Sequence, residues 1–251
     1  DYKKDLINQF EKINNCIDGN QPALFKILNL SISIELKKTL LKHLFSINNS
    51  LSDSSKLKLW LDNVLKIPFG VSKGIKLNLA SKKKINNFFT NLNKNMNDAV
   101  WGHDKAKRKI EQIMGQKITN PNCKGSVLGI WGPPGNGKTT LIKDGIAKAM
   151  NKPFIFISLG GATDASYLEG HSYTYEGSIY GRIAQGLIDC KCMDPIIYFD
   201  ELDKVSHTPK GDEIINLLVH LIDPVQNAHF RDKYFHDIDL DLSKVTFIFS
   251  F

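Results

Sequence analysis

Gly132-Pro133-Pro134-Gly135-Asn136-Gly137-Lys138-Thr139 is the stretch on which the reading of this chain turns. It fits the phosphate-cradling pattern G-x-x-x-x-G-K-[ST] at every fixed position. A short apolar run, Ser126-Val-Leu-Gly-Ile-Trp131, stands directly before it, and a helical pattern over residues 139–151 directly after. That setting is the one the pattern needs. Glycines let successive backbone N–H groups turn toward one anion, and the following helix adds the positive end of its dipole. Lys138 supplies a full charge to the β- and γ-phosphates, and the Thr139 hydroxyl is a ligand for Mg²⁺. The expected nucleotide contacts run from Gly132 through Thr140.

A partner lies further along. Ile196-Ile-Tyr-Phe-Asp200-Glu201 reads as a buried strand ending in two carboxylates. Asp200, at the strand's tip, is expected to hold Mg²⁺ through water, and Glu201 to polarise the attacking water. Lys138 and Glu201 are thus the candidate catalytic residues, and Thr139 and Asp200 the candidate metal ligands.

Working outward, apolar runs at Pro153-Phe-Ile-Phe-Ile-Ser158 and at residues 245–250 alternate with helical patterns near 104–116, 179–189 and 212–222. Unbroken apolar strands alternating with helices imply a parallel sheet covered on both faces. The front of the chain differs. Apolar residues recur at helical spacing over residues 21–45, again at Leu57, Leu59, Trp60, Leu61, Val64 and Leu65, and over residues 82–97. The expected organisation is a small all-α domain with a linker over residues 1–99, then the α/β domain over 100–251.

Charge follows the same division. Residues 1–99 hold 16 Lys+Arg against 8 Asp+Glu, and residues 100–251 hold 17 against 18. A basic front suits nucleic acid or an acidic surface, but these lysines are scattered, without interleaved arginines or aromatics, and a solvated helical face explains them better. No apolar run approaches the roughly 20 residues that a membrane span needs. Four cysteines (Cys16, Cys123, Cys190, Cys192) are too few for a disulfide framework, and Cys190-x-Cys192 is too tight for a CxxC ligand pair. The expectation is reduced thiols in an intracellular protein, of the cytoplasm or an organelle matrix. The chain has no initiator Met and stops inside the apolar run at Phe251, so a piece of a longer protein is expected.

These phosphate motifs alone admit kinases, helicases and many ATPases; the surrounding residues narrow the choice. The chain resembles the ATPase part of Lon proteases, a family of AAA+ proteins. The resemblance is carried by Leu159-Gly-Gly-Ala-Thr-Asp164 with Gly170-His171, by Thr174-Tyr175-x-Gly177 and Gly181-Arg182-Ile183, and by Asp200-Glu-Leu-Asp-Lys204. It continues through Gly211-Asp212, Asp223-Pro-x-Gln-Asn227, Phe230-Arg-Asp-x-Tyr234 and Asp241-Leu-Ser-Lys-Val245. In the front part, Trp60-Leu-Asp-x-x-Leu-x-x-Pro68 and Gly102-x-Asp104-Lys-x-Lys107 match the family's approach to its ATPase module. Roughly residues 22–251 are covered.

The resemblance implies a P-loop NTPase fold of AAA+ type, an ATP and Mg²⁺ requirement, a homo-hexameric ring and an unfolded polypeptide as substrate. It puts Val100 and Trp101 at the adenine pocket, although the same two residues could instead staple the domain junction. Tyr175, followed by Glu176, matches the pore-loop aromatic that grips polypeptide, the plainer reading being a core tyrosine on a loop. Residues 206–211 correspond to a second pore loop. Three positions depart from the pattern: Glu176 replaces a usual apolar residue, Ser172-Tyr173 a common basic pair, and Glu213 a common proline. The family's strand order, 5-1-4-3-2, implies that this chain lacks the last strand and the helical lid, leaving its first strand as a sheet edge. The sensor residues, the arginine finger and the Ser–Lys protease domain would lie beyond Phe251. Poor nucleotide binding and slow hydrolysis by this chain alone are therefore expected, with ATP turnover by the longer parent. Two other readings stand beside the motor: a regulatory or scaffolding AAA+ ATPase that processes no protein, and a helicase built on Asp200-Glu-Leu-Asp203.

Overall fold

A computed structural model describes residues 22–49, 54–73, 82–120 and 127–251. Packing divides the chain into two compact units, residues 1–69 and 70–251.

In the first unit the periodic stretch at 21–45 forms two helices rather than one, α1 (Ala23–Asn29) and α2 (Ile34–Asn49). The break falls where Ser33 Oγ accepts from Leu36 N at 3.2 Å, a side-chain cap for the new helix. α3 (Ser54–Val64) packs on α2, with Ile27, Leu40, Trp60, Leu61 and Val64 buried and the His43 ring edge-on to Trp60 at 5.4 Å. Leu28, Ile34, Phe45 and Leu59, all on the expected apolar stripes, are exposed. Residues 1–21, and residues 74–81 of the linker expected over residues 70–81, lie outside the described residues.

The second unit holds α4 (Lys82–Ala99) and α5 (Asp104–Thr119), then β1 (Val127–Ile130) and α6, which opens as Lys138–Thr140 and widens to i→i+5 hydrogen bonding over Leu141–Ala147. β2 (Phe154–Ser158), the short α7 (Ser166–Glu169) and α8 (Arg182–Cys190) follow. β3 (Ile196–Asp200) and α9 (Pro209–Ile222) lead to a small antiparallel pair, β4 (Phe230–Arg231) and β5 (Asp239–Leu240), and finally to β6 (Thr246–Ser250). The expected division at residue 99 differs from this packing. α4 packs on α6, and Phe88, Leu92 and Met96 are buried in the same cluster as Ile142, Ile146 and Tyr198. Lys82, Lys83 and Lys84, the tightest basic run in the front of the chain, are exposed, so charge and packing report different faces of one helix.

The sheet is parallel throughout, in the order β1-β6-β3-β2, with Val127 opposite Phe247, Ile196 opposite Thr246 and Phe154 opposite Ile196. β1 is an edge, as the resemblance implied. Two bonds carry its ladder past the strands, Phe251 N to Ile130 O and Gly132 N to Phe251 O, both at 3.2 Å. They lock the chain up to the first residue of the glycine-rich turn. On β3 the pleat sends Ile196, Tyr198 and Asp200 to one face and Ile197 and Phe199 to the other. Ile196 and Tyr198 join the cluster under α6, while Phe199 stacks on Phe249 at 5.0 Å.

Candidate nucleotide site

The turn between β1 and α6 is held open by backbone conformations that favour glycine. Gly135 and Gly137 both have φ of +74°. A Cβ on Gly137 would also stand 3.1 Å from Val100 Cγ2, so Val100 lies directly against the turn. Val100 is held there by Lys107, whose buried ammonium donates to Val100 O at 2.7 Å and Asn97 Oδ1 at 2.9 Å. The neighbouring Trp101 is 95 % exposed, its ring standing out in solvent. Lys107 was legible only as part of a motif; its role as a strut needed coordinates.

Lys138 and Asp200 open on one cleft of about 550 Å³, lined also by Gly137, Thr139, Thr140 and Glu201. Gly132, Pro134, Gly135 and Asn136 form its glycine-rich wall. The Lys138 ammonium bends across the turn, donating to Gly132 O and, at 3.3 Å, to Pro133 O. Asp200 Oδ1 accepts from Ser250 Oγ, from Glu201 N at 3.1 Å and from Tyr198 OH at 3.4 Å. Thr139 Oγ1 donates to that same phenol at 3.3 Å. Glu201 sits in left-handed backbone, φ +60°, and its Oε2 accepts from Ser158 Oγ at 3.1 Å. Leu159 N donates to Asp200 O at 2.9 Å, tying the end of β2 to the end of β3. Asp203 and Lys204, ion-paired at 3.2 Å, complete the rim.

The donor set fits a magnesium-bound triphosphate. A hydroxyl and a carboxylate offer the hard oxygens that Mg²⁺ takes, and backbone amides with one ammonium face the same space. Tyr198, Ser250 and Ser158 were missed by the sequence reading. The period-2 rule was the available signal, since residues 198 and 200 must share a face.

Tyr175 is 70 % exposed and Glu176 exposed beside it, on a loop pinned at its base by His171 N to Ile179 O at 3.2 Å. The ring is no core tyrosine. The loop's far end is clamped by Asp232, fully buried, which accepts from Gly181 N at 2.8 Å and from Tyr234 N at 2.9 Å. Burial pushes the Asp232 carboxyl up to about 7 against those N–H donors. Gly181 is required at this joint, because a Cβ there would stand 2.0 Å from Leu168 O. In the corresponding second loop, Thr208 Oγ1 accepts from Gly211 N at 3.3 Å and caps α9. Elsewhere, the Cys190 and Cys192 sulfurs are free thiols 3.6 Å apart. Among the described residues no group of three or more metal-ligating side chains forms, and no helix is long and apolar enough to cross a membrane. Cys16 and Cys123 lie outside those residues.

Residues 128–250 match the family model described as ATPase family associated with various cellular activities. Curated relatives are Lon proteases. A Lon protease homolog of Acanthamoeba polyphaga mimivirus is 32 % identical over 97 % of this chain, and the Lon protease of Ureaplasma parvum 34 % over 89 %. That of Helicobacter pylori is 38 % identical over 78 %. The chain belongs to the Lon family, as an AAA+ ATPase module. The cleft just described falls within the matched region, with Lys138, Thr139, Asp200 and Glu201 all inside residues 128–250. The Lon-family chain spans about a quarter of the length of these relatives, covering 24 %, 27 % and 24 % of them in the order given.

Proposed function

We propose that this chain binds Mg·ATP in the cleft between the glycine-rich turn and β3, hydrolyses it, and drives polypeptide translocation as part of a Lon-class ring. The observation that carries the reading is the convergence of Lys138 and Thr139 with Asp200 and Glu201 on one cavity. The backbone amides of residues 132–139 and the Lys138 ammonium bind and orient the phosphates. Thr139 Oγ1 and Asp200 would hold Mg²⁺, which when bound neutralises charge on the phosphates. Glu201 takes the role of orienting and polarising the attacking water. Val100, propped by Lys107, forms the wall where the base would rest, with Trp101 at its edge.

Tyr175 supplies the apolar, sequence-tolerant grip on an unfolded polypeptide, since an exposed aromatic face needs no particular partner. Glu176 beside it places a negative charge at that contact and disfavours acidic segments. The ring is a homo-hexamer in this reading. An intracellular location suits both the ATP requirement and the free thiols; nucleic acid has no part in it.

The deciding experiment uses the protein that contains this module. Lys138→Ala abolishes nucleotide binding, and Glu201→Gln retains binding while turnover falls at least a hundredfold. Tyr175→Ala leaves ATP turnover intact and stops unfolding of a tagged substrate. A Tyr175→Ala protein that still unfolds substrate at the parent rate would favour a scaffolding ATPase instead.

A further inference from the structure

Tyr198 is one of the groups in the site that no phosphate motif accounts for. Its ring is fully buried, packed between Phe154 and Phe156 with centroids at 5.8 and 5.9 Å. A phenylalanine would fill that slot equally well. The hydroxyl needs partners in such a place: Thr139 donates to it and it donates to Asp200, both of them candidate ligands of the cation, with the Ser250 hydroxyl also beside it.

The direction of the bonds gives the pairing a purpose. A threonine hydroxyl has one proton and two lone pairs. To offer a lone pair to a cation it must send its proton elsewhere, to a fixed acceptor. Thr139 Oγ1 sends it to Tyr198 OH at 3.3 Å, and the phenol sends its own proton on to Asp200 Oδ1 at 3.4 Å. Ser250 Oγ and Glu201 N also donate to Oδ1. Among the described residues every donor to this carboxylate falls on Oδ1, which leaves Oδ2 for the cleft. Both bonds to the phenol are longer than the usual O–H···O distance, so they orient their partners rather than bind them tightly.

We propose that Tyr198 is a positioning residue for magnesium: its phenol takes up the Thr139 proton and steadies Asp200 Oδ1, so that one oxygen of each residue faces the cation. The proposal rests on the nucleotide reading above and adds to it a third side chain that never touches metal or substrate.

Tyr198→Phe tests it, because only the hydroxyl is lost. The chain is loaded with a non-hydrolysable ATP analogue, and Mn²⁺ binding is followed by electron paramagnetic resonance, Mg²⁺ being titrated in competition. The dissociation constant for the cation should rise about two- to threefold, the low end of what one net hydrogen bond contributes, in keeping with bonds of 3.3 and 3.4 Å. Affinity for the analogue in EDTA should not change, nor should the melting temperature by more than a few degrees. In a Thr139→Val background, Tyr198→Phe should cost less than it does alone, since one of the two partners it serves is already gone. Unchanged cation affinity, an equal loss with and without cation, or full additivity with Thr139→Val overturns the proposal. So does a Tyr198→Phe chain that no longer folds, which would make the hydroxyl structural. If the parent chain binds no analogue under either condition, the nucleotide reading itself fails, a result distinct from all of these.

Discussion

Removing the Asp194 carboxylate should cost this fold more than removing any surface charge, and the structure says by how much. Asp194 is 2 % exposed and lies in the loop that feeds β3. It accepts from Ser72 Oγ and Lys73 N, both at 2.7 Å, and pairs with Lys152 Nζ at 3.0 Å. Lys152 is itself buried along its side chain and also donates to Asp194 O at 2.8 Å. One carboxylate thereby joins the segment after Phe69 and the turn before β2 to the start of the strand that carries Asp200. Asp194→Ala leaves the Lys152 ammonium with a backbone carbonyl but no counter-charge, and takes an acceptor from Ser72 Oγ and Lys73 N; breaking a buried pair in this way costs about 3–5 kcal/mol. At roughly 2–4 °C per kcal/mol for a unit of this size, the melting temperature should fall by about 6–20 °C. Burial pushes the Asp194 carboxyl up, but the Lys73 N–H, the Ser72 hydroxyl and Lys152 outweigh it and hold the group below its ordinary value. The stability it contributes is therefore present above the ordinary carboxylate range and is lost as pH falls through the depressed folded value. Asp194→Ala should erase that acid limb. Thermal melts by circular dichroism at pH 7 and across the acid range provide the measurement. A shift under about 2 °C at pH 7 would refute the reasoning. Recovery in a Lys152→Met, Asp194→Leu double variant would support it, since apolar replacement of a buried pair is often neutral.

The other predictions are shorter. Gly137→Ala should cost about 1–2 kcal/mol from its left-handed backbone and should weaken nucleotide binding, because its Cβ presses on Val100 and shifts the turn. Gly161→Ala, with open space around it, should alter neither quantity in the same melts and titrations. Asp232 titrates near 7 in the fold, above its unfolded value, so the stability it contributes is full below about pH 4 and drains away as pH rises through 7. The urea midpoint of the parent should therefore drop toward that of Asp232→Asn between pH 5 and pH 8; a constant gap would show that Asp232 does not titrate there.

Much of the site was legible because its residues sit where backbone geometry is severe. A turn with two left-handed positions excludes nearly everything but glycine, so Gly135 and Gly137 announce themselves. Buried parallel strands read as unbroken apolar runs, and β2, β3 and β6 lie within a residue of the runs that foretold them. What escaped was either too short or too ambiguous in residue type. β4 and β5 have two residues each, below any detectable period, so the hairpin that positions Asp232 surfaced only as a motif. The i→i+5 widening over Leu141–Ala147 has no compositional signature. Within a buried strand Tyr198 reads as one more ring for the core, and its ring is that; only coordinates show where the hydroxyl goes. The boundary at residue 69 was missed because the lysines of α4 speak for its solvent face and Phe88, Leu92 and Met96 for its buried one.

A single strand explains why the core and the chemistry stand or fall together. β3 is paired on both sides, Ile197 with Ile155 of β2 and with Phe247 of β6, so its register is fixed twice. The same register that sends Ile197 and Phe199 to one face commits Ile196, Tyr198 and Asp200 to the other. A slip of one residue would turn Asp200 away from Thr139 and bring Phe199 to the cleft, but it would also carry every other side chain of the strand to the wrong face. Four fully buried side chains, Ile196, Ile197, Tyr198 and Phe199, oppose that slip by shape, since each would meet a layer packed to fit its neighbour, at about 1–3 kcal/mol for a misfit of that kind. The carboxylate gains nothing from burial itself; the pleat chooses its face and the donors to Oδ1 settle its orientation. That face is set by the apolar residues beside it, and the phenol two positions back tunes what the pleat has already decided.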